Sequence, residues 1–431
     1  MELRLKNANI YKNGSFIKKD FPLDSFISAG SFAGSFSDFN NIYVLPAFCD
    51  VHVHFREPGF FYKETIKSGT LAAARGGYTD VCTMPNLNPV PDSAENLKIE
   101  TDIINQTAVI KVHPYAAITR GEAGAELADL ESTAPNCIAF SDDGRGVQSE
   151  DLMRRAMLEV KRLGKIIAAH CEDNSLLKGG YIHDGEYAKA HGHKGICSES
   201  EWRQIERDLR LVKETGCKYH VCHISAAESV ELIRKAKAKG LDVTCETAPH
   251  YLVLDDSNLK EDGRFKMNPP LRSARDRLAL IEGIKDGTVD MVATDHAPHQ
   301  LKDKAGGALQ AASGMPFVQF SLISMLSLSD KGILPVTRIA ELMAHNPARL
   351  FNVENRGFIK RGYFADLAIV RKSDKWTLDK NGILSKCKWS PLEGEAFDWR
   401  VERTYCNGKC VYDCKTGVNA ELKGKEITFC R

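Results

Sequence analysis

No stretch of this 431-residue chain reaches the roughly 18 uncharged apolar residues that a membrane span requires. The opening, MELRLKNANIYKNGSF, has no basic segment followed by an apolar one, so no secretory leader is expected. An excess of one charge is lacking as well. Lys and Arg number 58 against 57 Asp and Glu, which argues against a nucleic-acid arm or a polybasic membrane face. Paired cysteines are missing: the 13 Cys are odd in number and sit in apolar runs such as Thr79–Cys82 and Tyr219–Cys222. Reduced, buried thiols in a cytoplasmic protein are expected. Cys406, Cys410 and Cys414, in CNGKCVYDC, lack C-x-x-C spacing and read as thiols in a strand–turn–strand segment. There is no internal repeat and no low-complexity tract. What remains, 43% hydrophobic and 27% charged, is an ordinary globular composition, long enough for a large domain plus an accessory one.

Residues 1–47 read as short strands and turns. From Phe48 the pattern changes to strand-then-helix units. Short aliphatic or β-branched runs ending in polar residues occur at 48–55, 79–85, 108–118, 137–144, 165–173, 218–225, 242–252 and 290–298. Between them lie helical patterns. In SEDLMRRAMLEVKRLGK, Ser149 is a candidate N-cap and apolar residues recur at 152, 153, 156, 157, 160 and 163. In SAAESVELIRKAKAKG, Ser225 and Glu228 suggest a capping box and Gly240 a stop. Eight such units predict an α/β fold with a (β/α)8 TIM-type barrel over 48–350. No Gly-rich phosphate loop follows the first strand, which argues against a doubly wound sheet. Strand-like segments return over 351–431, including KEITFC near the end. Together with 1–47 they predict a small β-sandwich domain built from both termini.

The informative fact is where His and Asp fall. Strand one ends His52-Val53-His54, and at period two both imidazoles point to one side, into the barrel mouth. Strand four ends Asp142-Asp143, strand five supplies His170, strand six His223 and strand eight Asp295. Barrel active sites form at these C-terminal strand ends, and imidazole with carboxylate suits one or two divalent metals. A lone His is more often a hydrogen-bonded core residue. Convergence from five strand ends is poorly explained that way. His113, His183, His191, His193, His220, His250 and His345 carry no such pattern and are expected on the surface or in packing. His296 and His299, in DHAPH, leave the last strand where they face either solvent or substrate.

HVHFREPG (52–59), MPNLNP (84–89), AHCED (169–173), HVCHIS (220–225), KMNPPLRS (266–273) and ATDHAPH (293–299) follow one another in a known order. With GFIKRGYFADLAIV they resemble the cyclic-amidohydrolase superfamily, specifically dihydroorotases of the long bacterial type. The resemblance implies metal ligation, by zinc, through His52, His54, His170, His223 and Asp295. It implies Asp143 as the bridge, preferred to Asp142 on its distance to His170. Many relatives bridge with a carbamylated Lys on strand four, and CIAFSDDG offers none. The resemblance further implies Asp295 as general acid–base and Arg56, Asn86, Asn268 and His299 as substrate contacts. The family's loop segment after strand eight has AASGMPF here, making Ser313 and Gly314 its equivalents.

The implied reaction is the reversible cyclisation of N-carbamoyl-L-aspartate to L-dihydroorotate in pyrimidine synthesis. A cyclic amide is a poor electrophile, so opening it calls for a Lewis acid on the carbonyl and for water acidified to a pKa of ~7. Arg56 can grip a substrate carboxylate that neutral rings lack. A hydantoinase-, dihydropyrimidinase- or allantoinase-like hydrolase is the alternative within the class. A silent homologue that stabilises aspartate carbamoyltransferase is the alternative outside it. A homodimer and an aspartate carbamoyltransferase association are the expected partners.

Overall fold

Strands and helices alternate from Phe48 onward in the computed structural model, which describes residues 4–22 and 41–419. Eight parallel strands follow one another. The first four are Phe48–Val53, Tyr78–Thr83, Lys111–Pro114 continued by Ala116–Ala117, and Phe140–Ser141. The next four are Ile166–Ala169, Lys218–Val221, Val243–Thr247 and Met291–Val292. Val53 bridges His296 in parallel, and the His54 N–H donates to the His296 carbonyl at 2.9 Å, so strand eight returns to strand one. Asp50 secures the same seam, accepting from the Thr294 N–H at 3.0 Å and its hydroxyl at 2.6 Å. This is the barrel that the alternation predicts.

The helix Glu150–Arg162 forms as its pattern requires. Ser149 accepts from the Leu152 N–H, two acids occupy the first turn, and Leu152, Met153, Ala156, Met157 and Val160 are buried. Each large apolar side chain on such a face contributes about 1.5–3 kcal/mol. Ser225 departs from expectation. The helix after it, Ala227–Ala238, has Ala226 at its N-cap and no side-chain cap. The buried Glu201 carboxylate of the preceding helix accepts from the Ser225 and Ala226 N–H groups, each at 3.0 Å, and from the Ser225 hydroxyl. A tertiary carboxylate has taken the local cap's place.

The two ends of the chain share one sheet. Ile42–Pro46 pairs in parallel with Arg4–Lys12 and antiparallel with Leu367–Thr377. Arg4–Lys12 also pairs with Ser15–Pro22; on the other side the order continues through Ala396–Cys406, Lys409–Asp413 and Gly417–Val418. Hydrogen bonding therefore runs through one seven-stranded sheet built from both ends of the chain. Irregularities at Ile369/Val370 and Lys372/Trp376 bend it locally. Cys406 and Cys410 lie on the two arms of a hairpin turned by Asn407 and Gly408, both at positive φ. The described cysteines are free thiols. KEITFC and residues 23–40 lie outside the described residues.

Candidate metal and substrate site

Strand one delivers His52 and His54 to the barrel mouth with one nitrogen of each already engaged. His52 Nδ1 lies 2.8 Å from Glu246 Oε1, and His54 Nδ1 lies 2.9 Å from Asn86 Oδ1. An oxygen acceptor at Nδ1 holds the proton there and leaves Nε2 as a lone-pair donor. Both Nε2 atoms face Asp295 Oδ1, at 3.7 Å for His52 and 3.0 Å for His54. On the other side, His170 Nδ1 and His223 Nε2 are 3.0 Å apart, nitrogen to nitrogen.

Asp143 stands between the two groups. Its Oδ2 is 3.4 Å from His54, and its Oδ1 is 3.4 Å from His52, 3.6 Å from His223 and 3.9 Å from His170. Two triads, His52–Asp143–His223 and His52–His54–Asp295, each bring one ligand atom per residue within metal-sharing distance. His52 Nε2 and Asp143 Oδ1 are buried without a hydrogen-bond partner, so the donor set fits a cation. A carboxylate reaching both triads can span two ions. Burial pushes the Asp143 carboxyl up, but His52 and His223 outweigh it and hold Asp143 well below the usual carboxylate range. Asp295 is likewise held low, against burial, by His54 and His52.

Asp142, the neighbour weighed against Asp143, points elsewhere. It accepts from the Ile118 N–H at 2.8 Å, the Thr119 N–H at 3.0 Å and the Thr119 hydroxyl, tying strand four to the chain beyond strand three. His223, Asp295 and Arg56 all adopt positive φ, at 31°, 44° and 61°. Such conformations cost on the order of 1–3 kcal/mol and persist where a site fixes them.

The expected substrate contacts divide. Arg56 is aimed into the site with a buried, unpartnered Nε. Burial lowers its pKa against the pull of Asp295 and Asp143. His299 is buried with Nδ1 unpartnered; burial, with Arg56, Lys63 and Lys304 nearby, pushes it down to about 2, so it is neutral. Asn268 donates to Glu172 Oε2 at 3.3 Å and leaves its own buried carbonyl oxygen free. Asn86 is already occupied, holding His54 and donating to Asp143 at 3.4 Å. Gly314 packs against Ala297 and His299, whereas Ser313 is exposed.

His296 does not face solvent. It is buried, its Nδ1 accepts from the Phe317 N–H at 3.1 Å, and its Nε2 lies 3.6 Å from Glu64. The sequence reading passed over Glu246, whose other oxygen takes His220 Nε2 at 3.2 Å. Those hydrogen bonds, from His220 and His52, overcome burial and hold Glu246 down to about 2. A carboxylate inside the otherwise uncharged strand VTCET is the available signal, because buried Glu is rare unless paired.

Comparison with known proteins extends this picture. A family model described as "Dihydro-orotase-like" matches residues 42–229. A dihydroorotase of Fusobacterium nucleatum is 45% identical over 423 residues, covering 96% of this chain and 99% of that one. One of Staphylococcus epidermidis is 41% identical over 420 residues, covering 95% and 99%. Among solved structures, L-hydantoinase from Arthrobacter aurescens superposes with a TM-score of 0.82 at 24% identity, covering 95% of each chain. Dihydropyrimidinase from Brevibacillus agri gives 0.83 at 21%, covering 98% and 97%. The structural likenesses show the barrel fold with its accessory β domain. The sequence relatives, aligned over nearly their whole length, go further: this chain belongs to the dihydroorotase family.

Proposed function

We propose that this protein is a dihydroorotase, interconverting N-carbamoyl-L-aspartate and L-dihydroorotate plus water in pyrimidine synthesis. Near-full-length relatives of that name carry the reading. The site chemistry agrees with it. Carbamoyl-aspartate has two carboxylates and dihydroorotate one, and Arg56 stands beside the site with a buried, unpartnered Nε.

His52, His54, His170, His223 and Asp295 would hold one or two zinc ions, with Asp143 as the bridge. When bound, zinc supplies Lewis acidity toward the ring carbonyl and acidifies water to near neutral pH. Asp295, kept ionised by its imidazole neighbours, accepts the proton of the attacking water and delivers it to the departing ring nitrogen. Arg56 forms a two-point pair with the carboxylate and orients the ring. Asn268 and His299 offer polar atoms to the ring N–H and C=O groups. Asn86 holds His54 and Asp143 in place while presenting its second N–H.

A hydantoinase-like activity is less well supported, since Arg56 would face a ring without a carboxylate. A silent homologue is disfavoured by a complete donor set. Homodimer formation, association with aspartate carbamoyltransferase and a cytoplasmic location complete the reading; no described helix is long and apolar enough to cross a membrane. Metal content and ring-opening rates on dihydroorotate and hydantoin, measured side by side, test the assignment. Metal-dependent turnover that strongly favours dihydroorotate is expected. Preference for hydantoin, or bound metal without turnover on either ring, would overturn it.

A further inference from the structure

Lys304 is a buried ammonium, 4% exposed, at the end of the short turn Leu301–Lys304. Its acceptors are backbone carbonyls: Ala312 at 2.5 Å, Gly314 at 2.9 Å and Lys266 at 3.1 Å. The first two belong to the loop after strand eight. The third precedes Asn268 by two residues in the loop after strand seven, and it also accepts from the Gly314 N–H at 3.1 Å. On another side the ammonium lies 5.5 Å from the Trp389 ring centroid, and that indole donates to the His299 carbonyl at 2.7 Å. Three separate pieces of the substrate-facing wall meet at one nitrogen.

Such an arrangement is costly to the fold. An ammonium removed from water needs compensation, and three neutral carbonyls give less than a carboxylate would. Burial, with the Lys266 ammonium adding to it, pushes Lys304 down to about 7 against the opposing charge of Asp262. An apolar side chain would pack there at lower cost but could not hold three carbonyls at once. The carbonyls come from loops with little regular structure of their own; the Gly314 N–H joins the Lys266 carbonyl directly, and the ammonium draws the Ala312 and Gly314 carbonyls to that same point.

We propose that Lys304 is a positioning residue for substrate binding, which fixes the Ala312–Gly314 loop, the Asn268 loop and His299 relative to one another. It touches neither the metal ligands nor the ring, and it acts through the groups it holds. The proposal rests on the reading that Gly314, Asn268 and His299 line the substrate site.

Two variants separate the proposal from that reading. Lys304→Met should raise KM for dihydroorotate about tenfold while kcat stays within about threefold and metal content is unchanged, since the lost contacts orient substrate rather than assist bond breaking. Gly314→Ala tests the wall itself, because a Cβ there would come within 2.5 Å of the Ala297 carbonyl oxygen, at φ +135°, and must displace the loop. A raised KM in Gly314→Ala with an unchanged KM in Lys304→Met would overturn the pin and leave the site reading standing. An unchanged KM in Gly314→Ala would remove the loop from the site, and the proposal with it. Parallel loss of KM, kcat, metal and thermal stability in Lys304→Met would mark a purely structural lysine and also overturn it. If Lys304→Met does not fold, Lys304→Arg is compared with Lys304→Gln. The cationic variant should keep the lower KM, and the reverse ranking refutes the proposal.

Discussion

His52 and Glu246, 194 residues apart, meet at 2.8 Å across the barrel and fix which imidazole nitrogen faces the cation site. A carboxylate behind a ligand raises its basicity and locks its ring, and loss of such a partner typically costs ~10–100-fold in metal affinity. Glu246→Gln should therefore weaken metal binding by about that factor in chelator competition. Wild-type affinity in the variant would reduce Glu246 to a packing role.

The two strand-four aspartates should separate cleanly. Asp143→Ala is expected to empty or weaken one cation position and abolish turnover. Asp142→Ala removes three hydrogen bonds to Ile118 and Thr119, so it should cost about 1–3 kcal/mol of stability and retain metal. Metal analysis beside thermal melts decides, and metal loss confined to Asp142→Ala would invert the assignment. His52→Ala, His54→Ala and His170→Ala should each follow the Asp143 pattern.

Asp295→Asn keeps an oxygen ligand but cannot take a proton. Turnover should fall by ~10²–10⁴-fold while metal content falls far less. Parallel loss of both would make Asp295 a ligand only.

In the proposed function Arg56 is the residue that recognises the substrate carboxylate. Arg56→Met should lose on the order of 2–4 kcal/mol in kcat/KM for both dihydroorotate and carbamoyl-aspartate, the scale for stranding one member of a desolvated charge pair. Arg56→Lys should also be impaired, because an ammonium cannot reproduce the planar fork. Any slow activity on uncharged rings should survive. An equal loss on hydantoin would show that Arg56 supports the metal site instead.

Glu100 gives a pH signature remote from the site. It is fully buried, and although the Thr83 hydroxyl donates to it at 2.6 Å, burial pushes it up to about 8 from an ordinary 4.5. Between those values the folded chain keeps a proton that the unfolded chain has released. Stability therefore falls as pH rises through that window, by up to about 1.4 kcal/mol per pH unit. Glu100→Gln should gain in Tm over the wild type progressively from about pH 5 to about pH 8. A gain independent of pH would mean that Glu100 does not hold its proton.

The sequence by itself determined the barrel and most of the donor set. Strand–helix alternation is a local pattern, and period two places His52 and His54 on one side of their strand whatever the rest of the chain does. Strand ends fall together at one barrel face, so His170, His223 and Asp295 could be gathered from position alone. The tertiary structure decided everything that depends on contact across the barrel. Adjacent aspartates leave a strand end in different directions, and the hydrogen bonds from Ile118 and Thr119 show that Asp142 turns away. The hydrogen bonds that tie Asn86 to His54 and Asp143 come from strand closure, which no local pattern encodes. Glu201 and Lys304 are invisible for the same reason, and the carboxylate of Glu246 shows in its strand without its partners: a buried charge takes its meaning from groups brought near by folding, and no local period encodes them.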